Sequence, residues 1–177
     1  MKKVLDKNTL SFEKATEKNL KEILRLYTKV IKKTFTTWDK KYPNKGLLKN
    51  DIQHEDLYIL KTSKKIVAVG FLGENNLEEN ETWHLKLKRP LEISRICVSP
   101  DFQNQGIGTI FMQYLIEEAK NRGADGMRFH VCTENPSAIK LYEKCNIKNY
   151  GLGQSNYGFD FYKFETKFKR NIKWNLF

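Results

Sequence analysis

The chain has 177 residues, 40% of them apolar and 30% charged, with ten glycines, four prolines and a formal net charge of +11. That length suits one ordinary domain, and the composition excludes a disordered or fibrous chain. No apolar run approaches the roughly 18 residues that span a bilayer, and no apolar stretch follows the first lysines, so neither a membrane span nor a signal peptide is expected and the cytoplasm is the expected compartment.

In chain order, residues 11–15 suit a short strand. Thr16 then stands as N-cap of a helix running to about Thr34, because Leu20, Ile23, Leu24, Tyr27, Val30 and Ile31 recur at helical spacing. The aromatic stretch "FTTWDKKYPNKGLLKNDI" is irregular, with one short helix after Pro43. "DLYIL" and "KIVAVGFLG" read as the arms of a hairpin turning at Ser63 and Lys64. After a polar excursion over residues 75–89 comes a strand at 91–98. Ile107, Ile110, Phe111, Tyr114, Leu115 and Ala119 mark one face of a long helix, which Gly123 ends. "GMRFHVCT" is the next strand, and "NPSAIKLYEKC" is a short helix with Asn135 as N-cap and Pro136 at its first position. "YGLGQSNYGFDFYKFETKF" alternates aromatic and polar residues as a closing hairpin. The order β-α-α-β-β-β-α-β-α-β-β is that of a single mixed α/β domain, with a core over about residues 11–167 and a basic, aromatic tail at 168–177.

Between the strand at 91–98 and the long helix lies Gly106-Ile107-Gly108. The P-loop pattern fails because no Gly-Lys-Ser/Thr follows, and the dinucleotide pattern fails because its third glycine would be Phe111. What remains is a helix N-terminus with unpartnered N–H groups, two glycines that clear the way for an anion, and the Thr109 hydroxyl as a further donor. The same glycines would equally serve a tight turn and close helix–strand packing. Cys97, Cys132 and Cys145 are odd in number and far apart, which suggests reduced thiols and neither a disulfide framework nor a metal site. The basic excess favours an anionic partner (nucleic acid, a membrane surface or a phosphorylated ligand) or simply solvated lysine faces.

"QNQGIG", residues 103–108, resembles the Gln/Arg-x-x-Gly-x-Gly/Ala signature of the GCN5-related N-acetyltransferases, whose loop binds the pyrophosphate of acetyl-CoA. Downstream, "FHVCTENPSAIKLYEKCNIKNYG" resembles that family's second conserved region: a strand, an Asn, a small residue, an apolar-Tyr pair and a glycine. By both motifs and by the order of elements, the chain is identified as a member over roughly residues 11–167. The resemblance implies a mostly antiparallel mixed sheet flanked by helices, acetyl-CoA as cofactor, and direct acetyl transfer to a primary amine in a ternary complex. It implies cofactor contacts from Ile96, Cys97 and Val98, where a bulge frees a backbone N–H near Val98 to polarise the thioester carbonyl. Further contacts would come from Gln103, Asn104, Gln105, Gly106, Ile107, Gly108 and Thr109, and from Asn135 and Ala138.

Tyr142 matches the family's acid tyrosine, since a phenol with a pKa of about 10 can reprotonate a thiolate. On its helix it equally shares an apolar face with Ala138, Leu141 and Cys145. Glu92, eleven positions before Gln103, matches the offset of the catalytic glutamate in the histone-acetyltransferase branch, whereas many relatives carry an apolar residue there and deprotonate through water chains. Strand alternation places Glu92 on the face of Ser94, Ile96 and Val98. His130 reads as a structural histidine, and Cys132 has no neighbouring base in view. The resemblance implies an acceptor groove bordered by the segment between the first two helices and by the last hairpin. That makes Trp38, Asp39, Tyr42, Tyr157, Asp160 and Tyr162 candidate acceptor lining, with Asp39 or Asp160 to hold an ammonium, or else loop-packing aromatics and solvated acids. The acceptor would be a small-molecule or protein amine; no metal and no membrane is expected, and the family often forms homodimers. Two other readings stay open. One is an acyl-CoA sensor of the same fold without catalysis. The other is a basic nucleic-acid-binding module, supported by the charge and by the tail "KFKRNIKWNLF" but lacking any recognised nucleic-acid motif.

Overall fold

The computed structural model describes residues 9–34, 36–39, 41–74, 81–153 and 159–169. Its elements come in the expected order. They are β1 (Ser11–Lys14), α1 (Leu20–Lys33), α2 (Lys45–Gln53), β2 (Leu57–Lys61), β3 (Ile66–Glu74), β4 (Pro90–Val98), α3 (Ile107–Asn121), β5 (Gly126–Cys132), α4 (Pro136–Lys144), β6 (Lys148–Leu152) and β7 (Phe161–Lys167).

The first helix begins where its apolar spacing does, a turn later than a cap at Thr16 predicts. Thr16 opens a single 3-10 turn, Glu17–Asn19, before α1. The Asn19 side chain there accepts from the Thr16 N–H at 2.8 Å and from its hydroxyl at 2.9 Å, which ties the turn shut. Asn44 caps α2 by accepting the Leu47 N–H at 3.0 Å, and Asn135 caps α4 by accepting the Ala138 N–H at 3.1 Å. Such caps each contribute about 1 kcal/mol. Gly123, with φ +78°, takes the left-handed conformation just past α3.

The seven strands form one sheet in the order β1-β2-β3-β4-β5-β7-β6, antiparallel throughout except between β4 and β5. One face packs against α3 and α4, with Phe111, Met112, Leu115 and Tyr142 buried on Leu91, Ile93, Met127, Phe129 and Phe164. The other packs against α1 and α2, where Ile23, Tyr27 and Leu48 meet Leu57, Ile59, Val69 and Cys97. Burying each such side chain contributes about 1.5–3 kcal/mol, so the apolar alternation fixes which way every strand faces.

Beyond β4 the second face is covered by a strap of chain. Both oxygens of buried Glu165 accept backbone N–H groups, from His84 and from Leu85, each at 2.8 Å. Asp125 does the same for Lys88 at 2.7 Å and Arg89 at 3.0 Å. Trp83 stacks on His130 and His84 on Tyr150. Among the described residues, no helix is long and apolar enough to cross a membrane.

Candidate active site

The parallel pairing of β4 with β5 is confined to Pro90↔Gly126 and Leu91↔Met127. Beyond those pairs β4 runs on to Val98 and β5 to Cys132, each held only by its antiparallel neighbour, so the strands part into a wedge. Backbone N–H and C=O groups that face a wedge lack cross-strand partners and call for an extended polar ligand.

A bulge shapes the β4 wall. Val69 pairs with Cys97 and Phe71 with Ser94, so Gly70 alone stands opposite Arg95 and Ile96. Arg95 takes the extra residue's bend at φ 56°. The bulge therefore lies at Arg95–Ile96, two positions before the expected Val98, and it overturns the strand-alternation assignment for Glu92. Before it, Leu91 and Ile93 face the α3 side; after it, Ile96 and Val98 do, because two successive residues share the opposite face. Glu92 pairs with Gly73 and Ser94 with Phe71, which places both on the α1–α2 side with Arg95 and Cys97. Cys97 is buried there, burial pushes its thiol up, and only its backbone is left to meet a ligand.

At the wide end of the wedge, the loop into α3 is built mostly by its own residues. Phe102 is buried as its anchor, and the Gln103 side chain donates to the Val98 carbonyl at 3.1 Å. The Gln105 side chain reaches the Asp101 carbonyl at 3.5 Å, and Asn104 takes φ 62°. Gly106, at φ 79°, is the N-cap residue, and no side chain caps α3. The first N–H groups, at Ile107, Gly108 and Thr109, are thus left at the positive end of a helix without a capping acceptor. Gly108 also serves packing: a Cβ there would lie 3.3 Å from Leu141 of α4 and 3.8 Å from Val98. Gly106 thus serves the turn and Gly108 the close helix–strand packing. Ile107 is buried, and Thr109 is half-buried.

Tyr142 is 7% exposed, edge-on to Phe129 at 4.8 Å and tilted against Phe164 at 5.7 Å. Burial raises its phenol well above the ordinary value. Its hydroxyl has no hydrogen-bond partner among the described residues. Asn135 uses its side-chain oxygen for the cap, and Ala138 is half-buried against the same core.

The acceptor-side candidates divide. Trp38 packs edge-on against Tyr27 at 5.5 Å as part of the second core. Asp39 is turned inward on its own loop, accepting the Lys41 and Tyr42 N–H groups at 2.7 and 3.0 Å. Tyr42 is 41% exposed, with its hydroxyl 3.5 Å from the Arg95 guanidinium. Asp160 is exposed, its carbonyl holding the Thr133 N–H, and Tyr162 packs against the α3-side core. Tyr157 lies outside the described residues. His130 is held by Glu81 at 3.1 Å beneath Trp83, as a structural histidine would be.

The residues missed by the sequence reading sit under the bulge. Arg95 pairs with Asp51 of α2 at 2.8 Å, lies over the Phe71 ring at 4.5 Å, and its carbonyl accepts the Tyr27 hydroxyl at 2.8 Å. Burial lifts the Asp51 carboxyl above its usual value, against the pull of Arg95. The available signal was an arginine inside the apolar run "LEISRICV", since a charge in a buried strand requires a partner.

The family model described as "Acetyltransferase (GNAT) family" matches residues 19–147. An uncharacterized N-acetyltransferase of Methanocaldococcus jannaschii is 29% identical over 149 residues, covering 79% of this chain and 61% of that protein. The ribosomal protein bS18-alanine N-acetyltransferase of Escherichia coli is 34% identical over 62 residues, covering 35% of this chain and 42% of that one. The chain thus spans less than two thirds of the length of these relatives. Among solved structures, yncA of Salmonella typhimurium, determined with its cofactor acetyl-CoA, superposes with a TM-score of 0.70 at 15% identity, covering 93% of this chain and 97% of that one. A GNAT-family acetyltransferase of Streptococcus agalactiae superposes with a TM-score of 0.75 at 16% identity, covering 91% and 96%. These two share the fold.

Proposed function

The chain belongs to the acetyltransferase (GNAT) family, and from that premise we propose that it transfers an acetyl group from acetyl-CoA to a primary amine, directly and within a ternary complex. The observation that carries the reading is the wedge: unpaired strand edges lead straight to an uncapped helix N-terminus. The fit to the cofactor is good on both counts, since a pantetheine arm needs amide partners and a pyrophosphate needs converging N–H donors. Residues Gly106, Ile107, Gly108 and Thr109 would hold the pyrophosphate, with Gln103, Asn104 and Gln105 shaping the loop. The backbone at Ile96, Cys97 and Val98, turned by the bulge, would line the arm and the thioester carbonyl, with Asn135 and Ala138 on the far wall. Bound acetyl-CoA supplies the thioester.

The protein's own part is to move two protons. Glu92, on the α1–α2 side of the sheet, takes one from the acceptor ammonium, directly or through water. Tyr142, on the α3–α4 side, offers one to the departing sulfur. Base and acid thus flank the wedge from opposite faces, so amine and thiol need not cross. With its phenol raised by burial, Tyr142 stays protonated throughout the neutral range and acts first as a hydrogen-bond donor to the thiolate. Tyr42 and Asp160 remain the exposed acceptor-side groups. Tyr157, an acceptor-side candidate from the sequence, lies outside the described residues, while Trp38 and Asp39 support the Tyr42 loop from within.

The test is an acceptor screen that follows thiol release from acetyl-CoA over polyamines, amino acids and peptides with free α-amines. The last are included because one relative is named for acetylating an alanine of a ribosomal protein. Release with one class supports the reading. Tight binding of acetyl-CoA with no release on any amine would leave a binding protein instead.

A further inference from the structure

The narrow end of the wedge frames a second concave site, about eight residues of strand from the α3 loop, which is roughly 25 Å. A cavity of about 310 Å³ there is lined by Lys88, Arg89, Arg122 and Arg128, with Glu74 and Leu91. Arg122 is committed, paired to Asp56 at 2.9 Å and donating to the Leu72 carbonyl at 2.6 Å. The other carboxylates nearby are spent on the strap: Asp125 on the Lys88 and Arg89 N–H groups, and Glu165, opposite Arg128 in the β5–β7 register, on those of His84 and Leu85.

Three cations are left. Lys88 and Arg89 make no ion pair among the described residues. Arg128 lies over the Trp83 ring at 5.2 Å, and its Nε is buried with no hydrogen-bond partner. A buried donor without an acceptor is costly, and a guanidinium fork matches two oxygens of one anion. Against these three stand Glu74, which is exposed, and the Asp125 and Glu165 carboxylates, whose hydrogen-bonding oxygens are turned to the strap but whose charge still acts on Arg128.

We propose that this pocket binds a small phosphate-bearing ligand, gripped by Arg128 and neutralised by Lys88 and Arg89, at a site separate from the α3 loop. It goes beyond the transferase reading, and its test does not depend on turnover. The full chain is first saturated with coenzyme A to fill the α3 loop and then titrated calorimetrically with inorganic pyrophosphate. One saturable site is expected, weakened at least tenfold by Arg128→Lys, which keeps the charge and loses the fork, and by Arg89→Ala on the surface. Lys18→Ala, outside the pocket lining, should leave it unchanged. Circular dichroism checks that Arg128→Lys is folded; if it is not, Arg89→Ala decides. Absence of saturable heat, or equal weakening by Lys18→Ala, overturns the proposal. Tighter binding of a ten-residue oligonucleotide through the same arginines would also overturn it, by making the surface a nucleic-acid contact.

Discussion

Gly70 lies directly beneath Ile96: a methyl group built on Gly70 would come within 2.3 Å of the Ile96 Cδ1 and 3.1 Å of the Phe111 ring. The glycine is the single residue opposite the bulge, so the room it leaves is what lets β4 turn its backbone toward the wedge. Gly70→Ala should push the Ile96 side chain out of its seat into the wedge. Overpacking of this kind costs about 1–3 kcal/mol, and here the lower end is expected because the clashing atom ends a rotatable side chain. Urea denaturation measures that loss. The coenzyme A dissociation constant should rise at least tenfold by calorimetry, and an unchanged constant would remove the bulge from the cofactor wall.

Tyr142→Phe should leave stability within about 0.5 kcal/mol, because the lost hydroxyl has no partner among the described residues. Turnover should fall about 100-fold with little change in KM for acetyl-CoA, the usual scale of a lost general acid. Since burial raises this phenol, no alkaline limb from its ionisation should appear below about pH 10 in the wild type. A variant that turns over at the wild-type rate would return Tyr142 to the packing role its ring contacts already explain.

For Glu92→Gln the discriminating measurement is the pH dependence of kcat/KM. If Glu92 is the base, the acidic limb of the wild-type profile vanishes and the rate drops at least tenfold at neutral pH. Superimposable profiles would assign deprotonation to water.

Acid should loosen the strap before the sheet. Burial draws the Asp125 carboxyl upward, but N–H donation from Lys88 and Arg89 outweighs it and holds the group below its ordinary value. Its folded value is therefore lower than its unfolded one. The stabilisation is present above about pH 3.9 and is lost as pH falls through the folded value. The difference in unfolding free energy between wild type and Asp125→Asn should accordingly shrink on acidification from pH 5 to pH 3. A constant difference would show that the two N–H contacts contribute nothing through charge.

Breaking the pair under the bulge should be costly. Asp51→Ala leaves the buried Arg95 guanidinium without its counter-charge, a loss of about 3–5 kcal/mol, whereas removing both charges with Asp51→Leu and Arg95→Met should recover most of it. Chemical denaturation of the three variants gives the comparison. If the double variant is no better than the single one, the pair is not what sustains the local packing.

The elements were legible because their signals are periodic. Helical spacing marked α1 and α3, Pro43 and Asn135 marked the starts of α2 and α4, and apolar arms and then alternation marked the two hairpins. The bulge was not legible, because one inserted residue in "LEISRICV" leaves every side chain apolar or polar as before and only exchanges their faces. That single insertion moved Glu92 to the other side of the sheet. The strap over residues 81–89 was missed for a different reason: it is held by carboxylates of β7 and of the turn before β5 acting on its backbone, which no pattern of its own side chains records. Asp39 commits one carboxylate oxygen to its own loop because a short carboxylate in a turn finds its own backbone N–H groups first.

The two-residue seam at Pro90 and Leu91 divides the sheet into four strands and three, whose ladders are otherwise independent. What spans the division is side-chain packing, chiefly α3 with Phe111 and Leu115 touching residues from both parts. Any extended ligand that fills the wedge then supplies the amide partners the chain itself lacks, and ties two cooperative units into one. Occupancy should slow amide hydrogen exchange in β4 and β5 together, although neither strand gains a contact with the other.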